Sequence, residues 1–220
     1  MHTKYRYSKV WPGDFYGFHT MWNSKSSRIM LVLRFVPHSG DRAKPMLITM
    51  NNCGEEIHLA IPSSEWADKG GNHPNWHPDG EHLIMNLNID GKGERFVKAR
   101  YDGGIIEKIT DVPANRGHIS VHPNGKLLLN DAYPHKDSAF LDTTAPIWLV
   151  DMERHWKHTL IRFESVTKYF ENNTSEARDM RVDPHPVWDT NTHTHIPFNA
   201  VENGTRRVFV ADLSKFVTHS

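Results

Sequence analysis

One tetrapeptide returns four times along this chain, and that return limits the fold more than any other feature. His19-Thr20-Met21-Trp22, His73-Pro74-Asn75-Trp76, His118-Ile119-Ser120-Val121 and His185-Pro186-Val187-Trp188 all read His-x-x-(Trp/Val), at spacings of 45 to 67 residues. Two of them run into turn sequences, His77-Pro78-Asp79-Gly80 and His122-Pro123-Asn124-Gly125. Proline presets φ in such a turn, and glycine supplies the positive φ that closes it. Behind each repeat lies a run rich in β-branched or large apolar residues, at 28–35, 82–88, 126–131 and 194–200. A third run follows at 45–50, 94–101, 146–151 and 206–212, and three repeats add a fourth at 56–61, 105–110 and 156–162.

Four short antiparallel strands repeated at this period are the sequence form of propeller blades. Helical periodicity is nowhere sustained. A β-sandwich has no reason to place the same tetrapeptide at the head of every fourth strand. The expected fold is therefore all-β, a single β-propeller domain over 1–220 with four antiparallel four-stranded blades. The blades fall at about 17–62, 71–111, 116–163 and 181–213, and 1–12 is an outer or closing strand. Two arrangements fit a last repeat without a fourth strand. Either residues 3–10 latch a closed ring, or the four blades are part of a larger one. An open array exposes a sheet face at each end, so self-association is expected of it.

Composition narrows the function classes. Lys plus Arg equals Asp plus Glu at 26 each, and no basic block stands out, which disfavours a nucleic-acid partner. The longest apolar run, 29–36, is broken by Arg34 and is too short to span a bilayer. No apolar segment follows Met1, so no signal peptide is visible and a cytoplasmic location is expected. A single cysteine, Cys53, excludes an internal disulfide framework and a thiolate metal cluster. It reads as a buried or loop cysteine. The unusual count is sixteen histidines.

Side chains alternate along a strand, so the histidine and the tryptophan of each repeat face opposite ways. The tryptophan is expected in the layer between blades. The histidine then begins the innermost strand, where blades converge on a channel. A lone histidine there is an ordinary polar residue; four from different blades can meet. In Asp183-Pro184-His185-Pro186, Asp183 and His185 each precede proline and are expected to be extended, which puts both side chains on one face. Together they can chelate one ion, with His118 of the preceding blade as third ligand. A carboxylate with imidazoles suits Mn²⁺, Zn²⁺ or Fe²⁺. His193 and His195 form another such pair, expected at the surface.

These motifs resemble those of the oligogalacturonate lyases, seven-bladed propellers of pectin breakdown. The likeness covers about Gly17 to Leu213 and falls on that family's last four blades. It is carried by Gly71-Asn72-His73-Pro74-Asn75-Trp76, Gly117-His118, Asp183-Pro184-His185-Pro186 and Val208-Phe209-Val210-Ala211-Asp212. The Pro-Asp-Gly turns are shared with TolB-like repeats generally. The resemblance implies a Mn²⁺ held by His118 and by a Gln-x-x-His-Pro-His motif. That motif stands here as Met180-Arg181-Val182-Asp183-Pro184-His185, with Asp183 for the first histidine and Met180 for the glutamine. It also implies a base at Lys44, where the family has arginine, in Pro37-His38-Ser39-Gly40-Asp41-Arg42-Ala43-Lys44. His73 would join it in catalysis, with His38, His19 and Arg42 binding the sugar. The implied reaction is β-elimination on oligogalacturonate or a related acidic oligosaccharide. A propeller that kept the array and lost the chemistry, as a binding or scaffolding module, is the alternative.

Overall fold

The computed structural model of the chain describes residues 12–132, 140, 144–164 and 182–217. Each of its sheets is a meander, with strands paired in sequence order. Blade 1 is β1 (Gly13–Trp22), β2 (Arg28–Pro37), β3 (Lys44–Asn51) and β4 (His58–Ile61). Blade 2 is β5 (Asn72–Trp76), β6 (His82–Leu87), β7 (Arg95–Arg100) and β8 (Ile106–Pro113). Blade 3 is β9 (Ile119–Val121), β10 (Leu127–Asp131), β11 (Thr144–Asp151) and β12 (Trp156–Glu164). All pairings are antiparallel. In the fourth blade β13 (His195–Glu202) pairs with β14 (Thr205–Asp212). Two one-turn helices complete the elements, α1 (Ser63–Trp66) and α2 (Ser214–Val217). No helix among the described residues is long and apolar enough to cross a membrane.

The expected inner strand 185–188 lies beside β13 but is not a regular strand. Backbone bonds from Val187 N–H to Pro197 O, Asp189 N–H to His195 O and Asn199 N–H to Pro184 O hold it there. The ladder is irregular because Pro184, Pro186 and Pro197 have no N–H to give it. The expected closing strand, residues 3–10, lies outside the described residues.

The turns form as their residues require. Asp79 Oδ1 accepts the N–H groups of Glu81 and His82, and Gly80 takes φ +72°. Asn124 Oδ1 does the same for Lys126 and Leu127, with Gly125 at φ +74°.

Why the second strands are apolar on both faces follows from how the blades stack. Leu83, Met85 and Leu87 of β6 pack against Met30, Val32 and Leu47 of blade 1. Ile84, between them in sequence, packs the other way, against Ile119, Val121 and Leu128 of blade 3. Leu127 and Leu129 then turn to Trp188, Ile196 and Phe198 of the fourth blade. A strand sandwiched between two sheets buries both faces, so alternation is replaced by a continuous apolar run.

The tryptophans clasp neighbouring blades. Trp76 Nε1 donates to Met21 O at 3.0 Å, and Trp188 Nε1 donates to Ser120 O at 3.2 Å. In each case the fourth residue of one tetrapeptide reaches the third carbonyl of the blade before. Both indoles are 7% exposed. Trp22 departs from the expectation: it is 53% exposed, because no blade precedes blade 1 among the described residues.

Candidate metal centre

The four repeated histidines meet. Ring centroids are 6.1 Å apart for His19 and His73, 4.0 Å for His73 and His118, and 3.3 Å for His118 and His185. The row therefore runs in blade order. Its backbone is unusual, with φ of +58° at His19, +52° at His73 and +46° at His185. Such values are uncommon outside glycine and cost on the order of 1–2 kcal/mol each. In blades 1 and 2 the β1–β2 and β5–β6 registers break at this point, between Phe18 and Met21 and between Asn72 and Asn75. A bulge of this kind adds one residue to the inner strand and re-aims its side chain.

The extended conformation expected of His185 is thus overturned. Proline after a residue disfavours right-handed helical angles, yet His185 takes the left-handed region instead. Its N–H donates to Asp131 Oδ2 at 3.0 Å, a bond that helps to hold the strained backbone.

Asp131 organises this end of the channel. It ends β10, is 1% exposed, and accepts the backbone N–H of His118 as well. Oδ2 also faces His118 Nδ1 at 3.0 Å. Asn130 Nδ2 donates to His118 O at 3.1 Å, which fixes the same residue from the other side. The approach is so close that a Cβ on Gly117 would lie 2.0 Å from Asp131 O and 2.1 Å from its Oδ1. Glycine is required there by contact. A carboxylate on Nδ1 favours the tautomer that presents Nε2 as a ligand, the arrangement usual behind metal-bound histidine.

One ligand atom each from His118, Asp183 and His185 lies within 4.8 Å of the other two. Two imidazoles and a carboxylate, with a second carboxylate behind, are a donor set that fits a divalent Mn²⁺, Zn²⁺ or Fe²⁺ ion. The protonation state of His185 agrees with it. Burial, and then the His118 imidazole, holds His185 below its ordinary pKa. Burial does the same for His19, opposed by its hydrogen bond to Pro74 O and reinforced by His118. Neutral imidazole is the metal-binding form.

The remaining candidates divide. His19 and His73 belong to the row, and His19 Nε2 donates to Pro74 O at 2.9 Å. Lys44 is exposed at the start of β3, opposite Phe35. It lines a cavity of about 700 Å³ with Arg42, Phe15, Phe35, Met46 and Ser63, to which none of the four histidines contributes. Arg42 also lines a second cavity of about 270 Å³ with Arg34, Gly71 and Asn72, one residue before His73. His38 is exposed in the turn after β2, its Nε2 3.2 Å from Asp14 Oδ2. His193 and His195 are half-buried, and the His193 carbonyl accepts a hydrogen bond from His122 Nε2. Cys53 is exposed in a turn. Met180 lies outside the described residues. Asp131 was not singled out from the sequence; the available signal was an acid ending the apolar run Leu127-Leu128-Leu129.

No protein-family model matches the chain, and no curated protein matches it in sequence. Solved structures do. A TolB-like protein from Agrobacterium tumefaciens superposes over 93% of this chain with TM-score 0.57 and 14% identity. TolB from Acinetobacter baumannii does so over 92%, with TM-score 0.53 and 12% identity. The fold is a β-propeller. One of two prolyl endopeptidases also matches, over 92% of this chain with TM-score 0.56 and 10% identity. The chain spans 60%, 56% and 28% of those three chains. At such identities the likeness is one of fold alone.

Proposed function

We propose that this propeller is a metal-dependent lyase acting on oligogalacturonate or a related acidic oligosaccharide by β-elimination. What carries the proposal is the convergence of His118, Asp183 and His185, with Asp131 behind the His118 imidazole and on the His185 N–H. A bound divalent ion would supply positive charge for the uronate carboxylate as negative charge builds beside C5. Lys44 Nζ would take the C5 proton. The electron pair left behind forms the C4–C5 double bond, the C4–O4 bond breaks, and His73 gives a proton to the departing oxygen. Arg42, which lines both cavities, would hold a neighbouring uronate carboxylate. Lys44 is exposed, so its desolvation is left to the substrate that fills the cavity.

A second reading has its own support. The cavity lined by Lys44 takes nothing from the histidine row, which favours a binding module that keeps the ion without the elimination. Two measurements separate them. Metal analysis of the purified protein is expected to find one divalent ion per chain, and His185→Ala to weaken its binding about 100-fold or more. Elimination creates an unsaturated uronide that absorbs in the ultraviolet, and Lys44→Ala is expected to abolish it. Stoichiometric metal with no such product from oligogalacturonate or other uronides leaves the binding module. A protein that takes up no metal overturns both.

A further inference from the structure

The blade-to-blade interface is repeated inside the chain, and among the described residues one half of it is left over on blade 1 and the other on the fourth blade. Within the array the tryptophan of blade 2 donates to the third-position carbonyl of blade 1, and that of the fourth blade does so to blade 3. Trp22 holds the same position in blade 1, is exposed, and has no hydrogen-bond partner for Nε1 among the described residues. Around it lies an apolar sheet face. Met30, Val32 and Leu47 are buried against blade 2, while Ile29, Leu31, Leu33, Ile48 and Met50 point the other way and are only half-buried. Leu31 pairs with Ile48 and Ile29 with Met50, so these side chains form one continuous surface. A sheet that faces water on one side carries polar residues there. This one does not.

The opposite end carries the complement. Val187, at the third position of the fourth tetrapeptide, is exposed, and Pro197 opposite has no N–H to offer its carbonyl. Val208 and Val210 stand exposed on β14 beside it. The donor half of the clasp is thus at one end and the acceptor half at the other, each bordered by exposed apolar side chains.

We propose that a second copy of this chain covers both faces. The fourth blade of one copy packs on blade 1 of the other, head to tail, and Trp22 Nε1 donates to the Val187 carbonyl across each junction. The occupant follows from continuity with an interface already built between each pair of neighbouring blades, whose two halves both lie on this chain. The four described blades of each copy bring eight together, within the range of propeller rings, and a head-to-tail contact that closes stops at a defined size. The two histidine rows then share one channel.

Sedimentation and light scattering of the full chain are expected to give twice the mass of one chain. Trp22→Arg and Val208→Arg alter exposed side chains at opposite ends. Each is expected to raise the dimer dissociation constant by at least about 30-fold, as loss of an interface anchor does. Mixing the two variants is expected to restore a dimer, since one junction then joins two unaltered faces. Trp22→Phe, which keeps bulk and loses the N–H, is expected to weaken association less. A wild-type monomer at its highest soluble concentration overturns the proposal and assigns the faces to another occupant. A dimer that survives Val208→Arg overturns the head-to-tail pairing, and assemblies beyond two copies overturn closure.

Discussion

Blades 2 and 3 are built alike and differ where it matters for chemistry. Each has a glycine just before or two before its histidine, and each second strand brings a polar residue against that glycine. In blade 2 the residue is Asn86, which accepts the Asn72 N–H at 2.7 Å and donates to Gly117 O at 3.0 Å. In blade 3 it is Asp131, which spends its oxygens on His118 and His185. The amide ties two blades together. The carboxylate orients the His118 imidazole and anchors the backbone of His185. One change of functional group at one position of a repeat separates a structural bond from a ligand support, because the carboxylate accepts through both oxygens and puts negative charge behind the His118 imidazole.

The two blades are most sensitive at these glycines. Gly117→Ala would drive a Cβ into Asp131 O and Oδ1. It is expected to cost about 2–4 kcal/mol of stability and to lower metal affinity with it. Gly71→Ala meets Asn86 O at 2.2 Å and must also hold φ +97°, so a similar loss of stability is expected without a selective loss of metal. Denaturant titrations with and without metal would distinguish the two.

Next in size is Asp131→Asn, which gives blade 3 the residue of blade 2. Metal affinity is expected to fall about 10- to 100-fold, as when an outer-shell partner of a ligand histidine is lost. Calorimetric titration with Mn²⁺ or Zn²⁺ measures it, and an unchanged affinity would show that Asp131 does not support the ion. The reciprocal Asn86→Asp removes the donor to Gly117 O and buries a carboxylate beside it. A loss of about 1–3 kcal/mol is expected from chemical denaturation, with no gain of metal.

Smaller effects come with pH. His19 and His185 titrate below the ordinary 6.5 in the folded chain. As pH falls below 6.5 the unfolded chain therefore binds protons that the folded one refuses, and metal-free stability declines. Thermal midpoints of the metal-free chain are expected to drop as pH falls below 6.5, and His19→Gln with His185→Gln should flatten the slope.

Smallest is the turn that the two blades close with Asp79 and Asn124. Burial pushes the Asp79 carboxyl up, but the Glu81 N–H, the His82 ring and the His82 N–H outweigh it and hold the pKa at about 2. The stability it adds is present above the ordinary 3.8 and lost as pH falls through about 2. Asp79→Asn, which copies blade 3, is expected to remove that acid dependence together with the stability the carboxylate adds at neutral pH, read in a pH series of melts.

The sequence by itself determined the blades. Strand period, turn chemistry and a recurring His-x-x-(Trp/Val) are local properties, and a meander pairs strands that adjoin in sequence, so little long-range information is needed. It also placed His118, Asp183 and His185 as partners, since repeated positions in a radial fold converge. Tertiary structure alone decided how they converge. The left-handed backbone at three histidines depends on bulges and on a bond from Asp131, which no rule about the residue before proline contains. Asp131 itself was hidden because an acid ending an apolar strand looks like a strand terminus until the neighbouring blade's histidine is brought to it. Trp22 was misjudged for the same reason. Its burial depends on which blade stands beside it, and a local pattern carries the side chain's direction but not its neighbour.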